Sequence, residues 1–577
     1  MKLSVLSVAV LSFGFAPVQA VQLTQDDVAL IIAQAATEAT RIHPQAIIAV
    51  TDREGFVLGV WDMQSRLPDP LPANPLVPPA NTRILGLLGG AITRAGTAAF
   101  LSSNEQAFTS RTAGYIIQQH FPVGVRNTPP GPLVGVGLSS LFFSDINRLK
   151  RIPAGFDSFD LRDPAAPLSD KRISTGVRGE PAPFGSLNDS PGGVPLYKEG
   201  QLVGGIGVTG DGAPTDLAPA AAFLLRETQR TVSSGFVATT KRDADEEVAL
   251  AGQTGFRPSR EIIASDVLIA GIRIPYVQPH IDDVPDVEDV PPLANLPGRM
   301  VAGFPIQAPP LPYPYPIVKL GGVEGELRAA VVFDPALGRD VIRCIDDPVA
   351  RIPGREKIGK AKRLTAEEVE SILAKAAQRA SSTRAGIRLP IGVSAKVFIA
   401  VVNHPHKNEE PPTVLGTFRT GEATLFSWDV AVQKARTAVF FSNRQLAMSA
   451  RAVGFLAQRN FPPGLDGRPP GPLFGFQEAV SLKRDPMLAR RRPETLGFPG
   501  NPNLPNGLTI FPGGFPLYRD GQLIGAIGIS GDGVDQDDII GASGCEDFLP
   551  NARIRADRFS YRGARLPYAK FPRDPEK

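Results

Sequence analysis

Apolar and polar positions along this chain change period in a fixed succession, and the succession occurs twice. Residues 25–41 are Ala-rich with apolar positions at helical spacing, and Thr24 ahead of acidic residues gives a capping-box-like start. Residues 366–380, behind Thr365, read the same way. The apolar run Ala46–Val50 predicts a buried strand, residues 52–55 a turn, and Phe56–Met63 a second strand. The later counterpart is Lys396–Val402, a longer loop, and Thr413–Phe418. A helix is predicted through 94–100 and again through 434–440. Ser102, Ser103 and Asn104, and later Ser442 and Asn443, are natural caps for a further helix running to His120 and Asn460. Pro/Gly-rich loops follow at 122–135 and 462–475. Each succession ends in a hairpin, Pro195–Tyr197 and Leu202–Val208 around Glu199-Gly200, with Asp520-Gly521 at the matching turn. The expected fold is α/β of the α+β type, an antiparallel sheet with helices packed against it.

The identities carry the repeat further. Residues 97–135 align with 437–475 without a gap, sharing Phe100 with Phe440, Arg111 with Arg451, Gly114 with Gly454 and Gln118 with Gln458. GGVPLYKEGQLVGGIGVTGDG, from Gly192, reads against GGFPLYRDGQLIGAIGISGDG, from Gly513. Phe256, Gly271 and Tyr276 fall on Phe548, Gly563 and Tyr568. The expected organisation is a first unit at 21–276, a Pro-rich linker at 277–363 and a second unit at 364–577. The run Pro309–Pro316 reads as extended chain, and 328–334 as one strand. The two units are expected to pack on each other as a pseudo-dimer, with homo-oligomerisation beyond that left open.

Composition adds a compartment. Lys2, an apolar run to Ala16 and a small residue at Ala20 form the pattern of a signal peptide over 1–20, so the chain is expected in the periplasm or secreted, starting near Val21. No other segment reads as a membrane span. The formal charge is +3 with both signs interspersed, which gives no support to nucleic-acid binding. Cys344 and Cys545 are the only cysteines, so zinc ribbons, redox dithiols and covalent c-type haem are excluded. A Cys344–Cys545 disulfide and two free thiols are both open readings. P-loop, dinucleotide, nucleophile-elbow and metalloprotease motifs are absent.

A Leu-Thr-led first helix, a basic residue before Ala-x-Thr-Ala, and the Gly-Gly-x-Pro-Leu-Tyr-x-x-Gly-Gln-Leu-x-Gly-x-Ile-Gly hairpin together resemble the haem-binding GlcG/HbpS family, in two tandem copies. The resemblance implies profilin-like domains, a tendency to oligomerise, and binding of haem or a related small molecule. It implies no known reaction. The insertions at 136–191 and 476–512 lie outside the pattern. The expected function is an exported haem-binding or related small-molecule-binding protein with two homologous sites. The alternatives are an enzyme on a small organic acid or tetrapyrrole, and a structural or partner-binding module without a ligand.

Several residues are candidates for the site. Arg94 with Thr97, and Lys434 with Thr437, place cation and hydroxyl on one helix face, where they receive a carboxylate or propionate or form a solvated surface. Arg111 and Arg451 recur at helical spacing from Gly114 and Gly454, glycines that suggest a close backbone approach, with the Pro-Pro-Gly-Pro-Leu loop folding back as one reading. Haem iron requires an axial ligand. None of His43, His120, His280, His404 and His406 recurs in the other unit, whereas Tyr197 and Tyr518 do, as iron ligands or as ordinary packing at a strand end. No catalytic residue is assigned and the metal is left open. The acidic run Asp532, Asp535, Asp537 and Asp538 is wrongly spaced for calcium, and Asp535 reads as a helix N-cap.

Overall fold

The computed structural model describes residues 21–71, 79–136, 187–211, 243–269, 271–278, 286–310, 315–406, 412–477 and 507–570. The signal-peptide reading of 1–20 and nearly all of the two insertions lie outside them.

In the first half the order is α1 (Gln25–Ile42), β1 (Ile47–Asp52), β2 (Val57–Asp62), α2 (Pro79–Leu101), α3 (Ser110–Ile116), β3 (Gly193–Lys198), β4 (Gln201–Thr209) and α4 (Ala244–Gly252). The linker supplies β5 (Arg299–Met300), β6 (Ile317–Leu320) and β7 (Val323–Ala329). The second half follows with α5 (Ala366–Ser382), β8 (Phe398–Asn403), β9 (Val414–Thr420), α6 (Phe426–Phe440), α7 (Ala450–Leu456), β10 (Gly514–Arg519), β11 (Gln522–Ser530) and α8 (Val534–Gly544).

Two antiparallel sheets result, ordered β3-β4-β1-β2-β5 and β10-β11-β8-β9-β7-β6. Register slips recur at Leu196/Tyr197 and Leu517/Tyr518. The hairpin turns have positive φ at Glu199 and Gly200 and at Asp520 and Gly521, the backbone that a tight two-residue hairpin needs. Strand alternation assigns the layers. A Cβ at Gly207 would lie 2.1 Å from the Ala91 carbonyl oxygen of α2, and one at Gly528 would lie 1.9 Å from that of Ala431 in α6. The neighbouring Ile206 and Ile527 face the other way, against Gly252 of α4 and Gly544 of α8. Each sheet is thus covered by one long helix on one face and a helix pair on the other.

The helix starts at Thr24 and Thr365 are capping boxes, as the sequence predicts. Other expectations need correction. The short helices α3 and α7 are capped by Thr109 and Ser449, not by the serines before them. Ser102 and Ser442 instead close a six-residue loop, each bonding both the amide and the carbonyl of Phe108 or Met448. The linker adds strands to both sheets. Residues 328–334 are not one strand: β7 ends at Ala329, and Val331–Asp334 pairs with Arg339–Ile342 in a hairpin of its own. Residues 83–101 of α2 are long and apolar enough to cross a membrane, but 89% of their apolar window is buried inside the protein, as in a core helix.

The disulfide reading is also corrected, because both thiols are free and buried. Cys344 packs near Gly416 of β9, beside Val369 and Leu373 of α5. Cys545 lies at the C-terminus of α8, where its thiol donates to the Ala542 carbonyl. Burial pushes the Cys344 thiol up to about 12, so it stays protonated.

The halves meet along a seam. Phe100 stacks on Phe426 with ring centroids 6.3 Å apart. Arg388 donates to the carbonyls of Phe100 and Ser102 at 2.9 and 3.0 Å, and Ser103 Oγ donates back to the Arg388 carbonyl at 2.7 Å. Arg419 binds Glu54 at 2.6 Å, Arg53 binds Glu422, and His120 Nε2 meets Asp466 at 2.7 Å.

Candidate functional site

The paired cations lie inside the protein, not on a solvated helix surface. Arg94 and Lys434 are each 1% exposed. Arg94 donates to Asp245 Oδ2 at 2.6 Å and to the Val208 carbonyl. Lys434 Nζ donates to Asp537 Oδ2 and to the Ile529 carbonyl, both at 2.7 Å. A buried cation needs such a partner, and here it comes from α4 or α8. Both charges are therefore engaged internally, and the expectation that they receive a ligand carboxylate is not met. Burial lowers the pKa of Lys434, opposed by Asp537.

The threonines serve the chain that follows each insertion. Thr97 Oγ1 accepts from the Asn188 amide at 2.8 Å, and Thr437 Oγ1 accepts from the Thr509 amide at 3.1 Å. The same chain accounts for the helix glycines. A Cβ at Gly114 would lie 2.4 Å from the Asp189 carbonyl oxygen, and one at Gly454 would lie 2.0 Å from that of Ile510. The Pro-Pro-Gly-Pro-Leu loop approaches elsewhere, through Gly131 and Gly471.

Arg111 grips Glu246 with two parallel hydrogen bonds of 2.8 Å. Arg451 spans Asp538 and Asp535 at 2.8 and 2.6 Å. Burial raises Glu246 to about 7, against the pull of Arg111. Tyr197 and Tyr518 are pinned through their hydroxyls to the Ser103 and Asn443 carbonyls, each at 2.7 Å. Burial pushes both phenols upward, so the packing reading of these residues fits and iron ligation as phenolate does not.

The sequence reading missed the acid partners. Asp243, Asp245 and Glu246 match Asp535, Asp537 and Asp538 in spacing, but 212–242 separates them from the first hairpin. Asp535 caps nothing, since α8 begins behind Gly533 and Asp535 sits in its first turn. Among the described residues, carboxylate oxygens of Asp211, Asp243 and Asp245 converge within 4.8 Å. Asp245 has both oxygens committed, to His43 and Arg94, which suits an ion-pair network better than a metal.

The two networks differ at one atom. In the first half His43 Nε2 lies 2.9 Å from Asp245 Oδ1. In the second half no side chain pairs with the buried Asp537 Oδ1, and only the Gly531 amide adds weakly to what Lys434 gives this carboxylate. Burial raises Asp537 to about 6; Lys434 opposes this most, and the Gly531 amide least. Asp537 lines a small open pocket between the halves. Leu101 and Leu133 from the first half, with Ile387, Phe426, Val430 and Phe511, make apolar walls. Arg388, Lys434 and Thr424 add polar groups, and Thr424 Oγ1 is also buried without a partner. Apolar walls with a few convergent polar groups are the usual form of a small-molecule site.

Residues 364–546 match the family model described as haem degrading protein HbpS-like. This stretch falls within the second unit read from the sequence. Among solved structures, the PduOC–haem complex is 22% identical over 33% of this chain and 97% of its own, with a TM-score of 0.21. Klebsiella pneumoniae protein ORFY is 19% identical over 33% of this chain and 94% of its own, with a TM-score of 0.21. A double mutant of Streptomyces reticuli HbpS is 20% identical over 35% and 96%, with a TM-score of 0.19. No curated protein matches the chain.

Proposed function

We propose that this protein is an exported binder of a small molecule, built from two copies of one GlcG/HbpS-like unit packed on each other, with a ligand held in the seam pocket. The single observation that carries the binding is that pocket, whose apolar walls enclose a buried carboxylate oxygen left without a side-chain partner. An orphaned buried acceptor costs about 1–3 kcal/mol, which a bound donor recovers. The HbpS-like match supports a ligand of the haem-related class.

Among the described residues that line the pocket, none is the His, Met, Cys or Tyr that an axially held iron needs. His43 is tied to Asp245, His120 to Asp466, and His404 Nδ1 lies against the Pro405 carbonyl. The ligand proposed here is smaller and enters without an iron–protein bond. The committed charges of Arg94 and Lys434 also weigh against an enzyme that orients an organic acid on them.

The test compares the native protein with Leu101→Trp, whose larger side chain fills the pocket from the first half. Mass spectrometry of the denatured proteins should find a small molecule released by the native chain and absent from the variant. Equal release from both refutes the pocket as the site. A haemin titration runs alongside, and a saturable Soret shift that persists in Leu101→Trp would place haem elsewhere. For export, the N-terminus of the native protein should begin near Val21, and intact Met1 in a cytoplasmic fraction would overturn it.

A further inference from the structure

The halves share a network of cation, carboxylate and strand-end carbonyl, and they part at one position. In the first half the imidazole of His43 closes the network. Its Nε2 sits 2.9 Å from Asp245 Oδ1, and His43 is 4% exposed. The same ring lies over the end of β4, where a Cβ at Gly210 would come 3.4 Å from His43 Cε1. Gly531 is the residue that matches Gly210, one place beyond the end of β11, and it lines the seam pocket together with Asp537.

The second half supplies no such ring. Arg384 stands at the matching position, as far beyond capping Thr365 as His43 is beyond capping Thr24. Its guanidinium donates to the Ala385 carbonyl at 3.3 Å instead. Arg388 of the same segment is committed to Asp532 and to the carbonyls of Phe100 and Ser102. At Gly531 a Cβ would instead meet the Lys396 carbonyl oxygen at 2.1 Å and Val397 Cγ1 at 2.7 Å, so what the second half leaves open is the imidazole's hydrogen-bonding role toward the carboxylate.

We infer that the seam pocket takes a small heteroaromatic ligand whose ring N–H donates to Asp537 Oδ1, the role that the His43 imidazole plays for Asp245 in the first half. This rests on the binding reading above and names the chemistry of its ligand. Three features favour a neutral ring over a free cation. Lys434 already balances Asp537, and Arg388 already balances Asp532. The remaining walls are apolar, and an uncompensated charge among them would be poorly solvated. Thr424 Oγ1, also without a partner, offers a second polar contact to a ring heteroatom.

Indole and 1-methylindole differ by that one donor and are both uncharged. Calorimetric titration of the full chain should show indole binding about tenfold or more tighter, the size of one hydrogen bond to a charged acceptor. Asp537→Asn should remove the preference, with a melting curve to show that the variant folds. A second variant needs no change in the pocket. His43→Ala frees Asp245 Oδ1 and should raise the indole stoichiometry from one to two. Equal affinity of the two probes in the native protein overturns the donor inference while leaving the pocket as a binding site. Binding of neither overturns both, and leaves water as the partner of Asp537. Unchanged stoichiometry in His43→Ala overturns the equivalence with the first half.

Discussion

At residue 537 a carboxylate is held where its ionised form is disfavoured by burial and favoured by Lys434. Its folded pKa, about 6, lies above the ordinary 3.8, so folding takes up a proton between these values. The stabilisation from that proton is fully present below about pH 3.8 and is lost as the pH rises through about 6. The groups facing it are Lys434, Asp532 and Arg388, with Asp538 and Arg451 behind Lys434. Urea denaturation of the native protein and of Asp537→Asn across pH 4–6.5 should show a downward stability component in the native protein that the variant lacks. Parallel curves would refute it. An ionised carboxylate is the stronger acceptor for a ligand N–H, so indole affinity should rise over the same interval. The orphaned atom itself was invisible in the sequence. Lys434 and Thr437 stood out by recurrence, but the acids that answer them sit behind insertions of unequal length. The legible signal was the recurring Asp-x-Asp followed by a third acid, at 243–246 and 535–538.

At the scale of elements, helix starts and hairpins were legible because their chemistry is local. Thr24 with Asp27 and Thr365 with Glu368 need only neighbours in sequence, and the Glu199-Gly200 and Asp520-Gly521 turns need only a backbone of positive φ. Serines 102 and 442 misled for the same reason. Their hydroxyls have an equally local use in closing loops, and only the path of the chain decides between loop and cap. The glycines of the last hairpin have a non-local cause. Gly528 lets α6 approach β11 closely, with a Cβ placed there falling 1.9 Å from the Ala431 carbonyl oxygen and 2.6 Å from the Ala435 amide nitrogen. Both neighbours are helix backbone and cannot turn aside. Gly528→Val should destabilise by about 1–3 kcal/mol or more, the cost of overpacking a close core. Equilibrium unfolding measures it, and a loss below about 0.5 kcal/mol would mean that α6 stands further from the sheet.

At the scale of the molecule, the linker and the seam make one body of what the repeat pattern divides. The sequence reading placed a Pro-rich linker between the two aligned repeats. Its strands nevertheless join both sheets, since a sheet edge accepts any extended neighbour with free backbone groups. Across the seam the central residue is Arg388, 3% exposed. It reaches from the second half to the Phe100 and Ser102 carbonyls of the first while paired to the fully buried Asp532. Arg388→Ala removes the cation and leaves that carboxylate and two carbonyls without it. Breaking a buried pair from one side costs about 3–5 kcal/mol, more than replacing the whole pair would. Asp532 keeps the Lys396 amide, which holds part of its charge, so the lower end of that range is expected. The strain falls on the seam, because both carbonyls belong to the opposite half. Unfolding of Arg388→Ala should therefore lose cooperativity and show two transitions, with small-angle scattering of the native-like intermediate giving a larger radius than the intact chain. A single transition with the full loss in midpoint would show the halves remaining coupled through Glu54, Arg419 and the shared strands without Arg388.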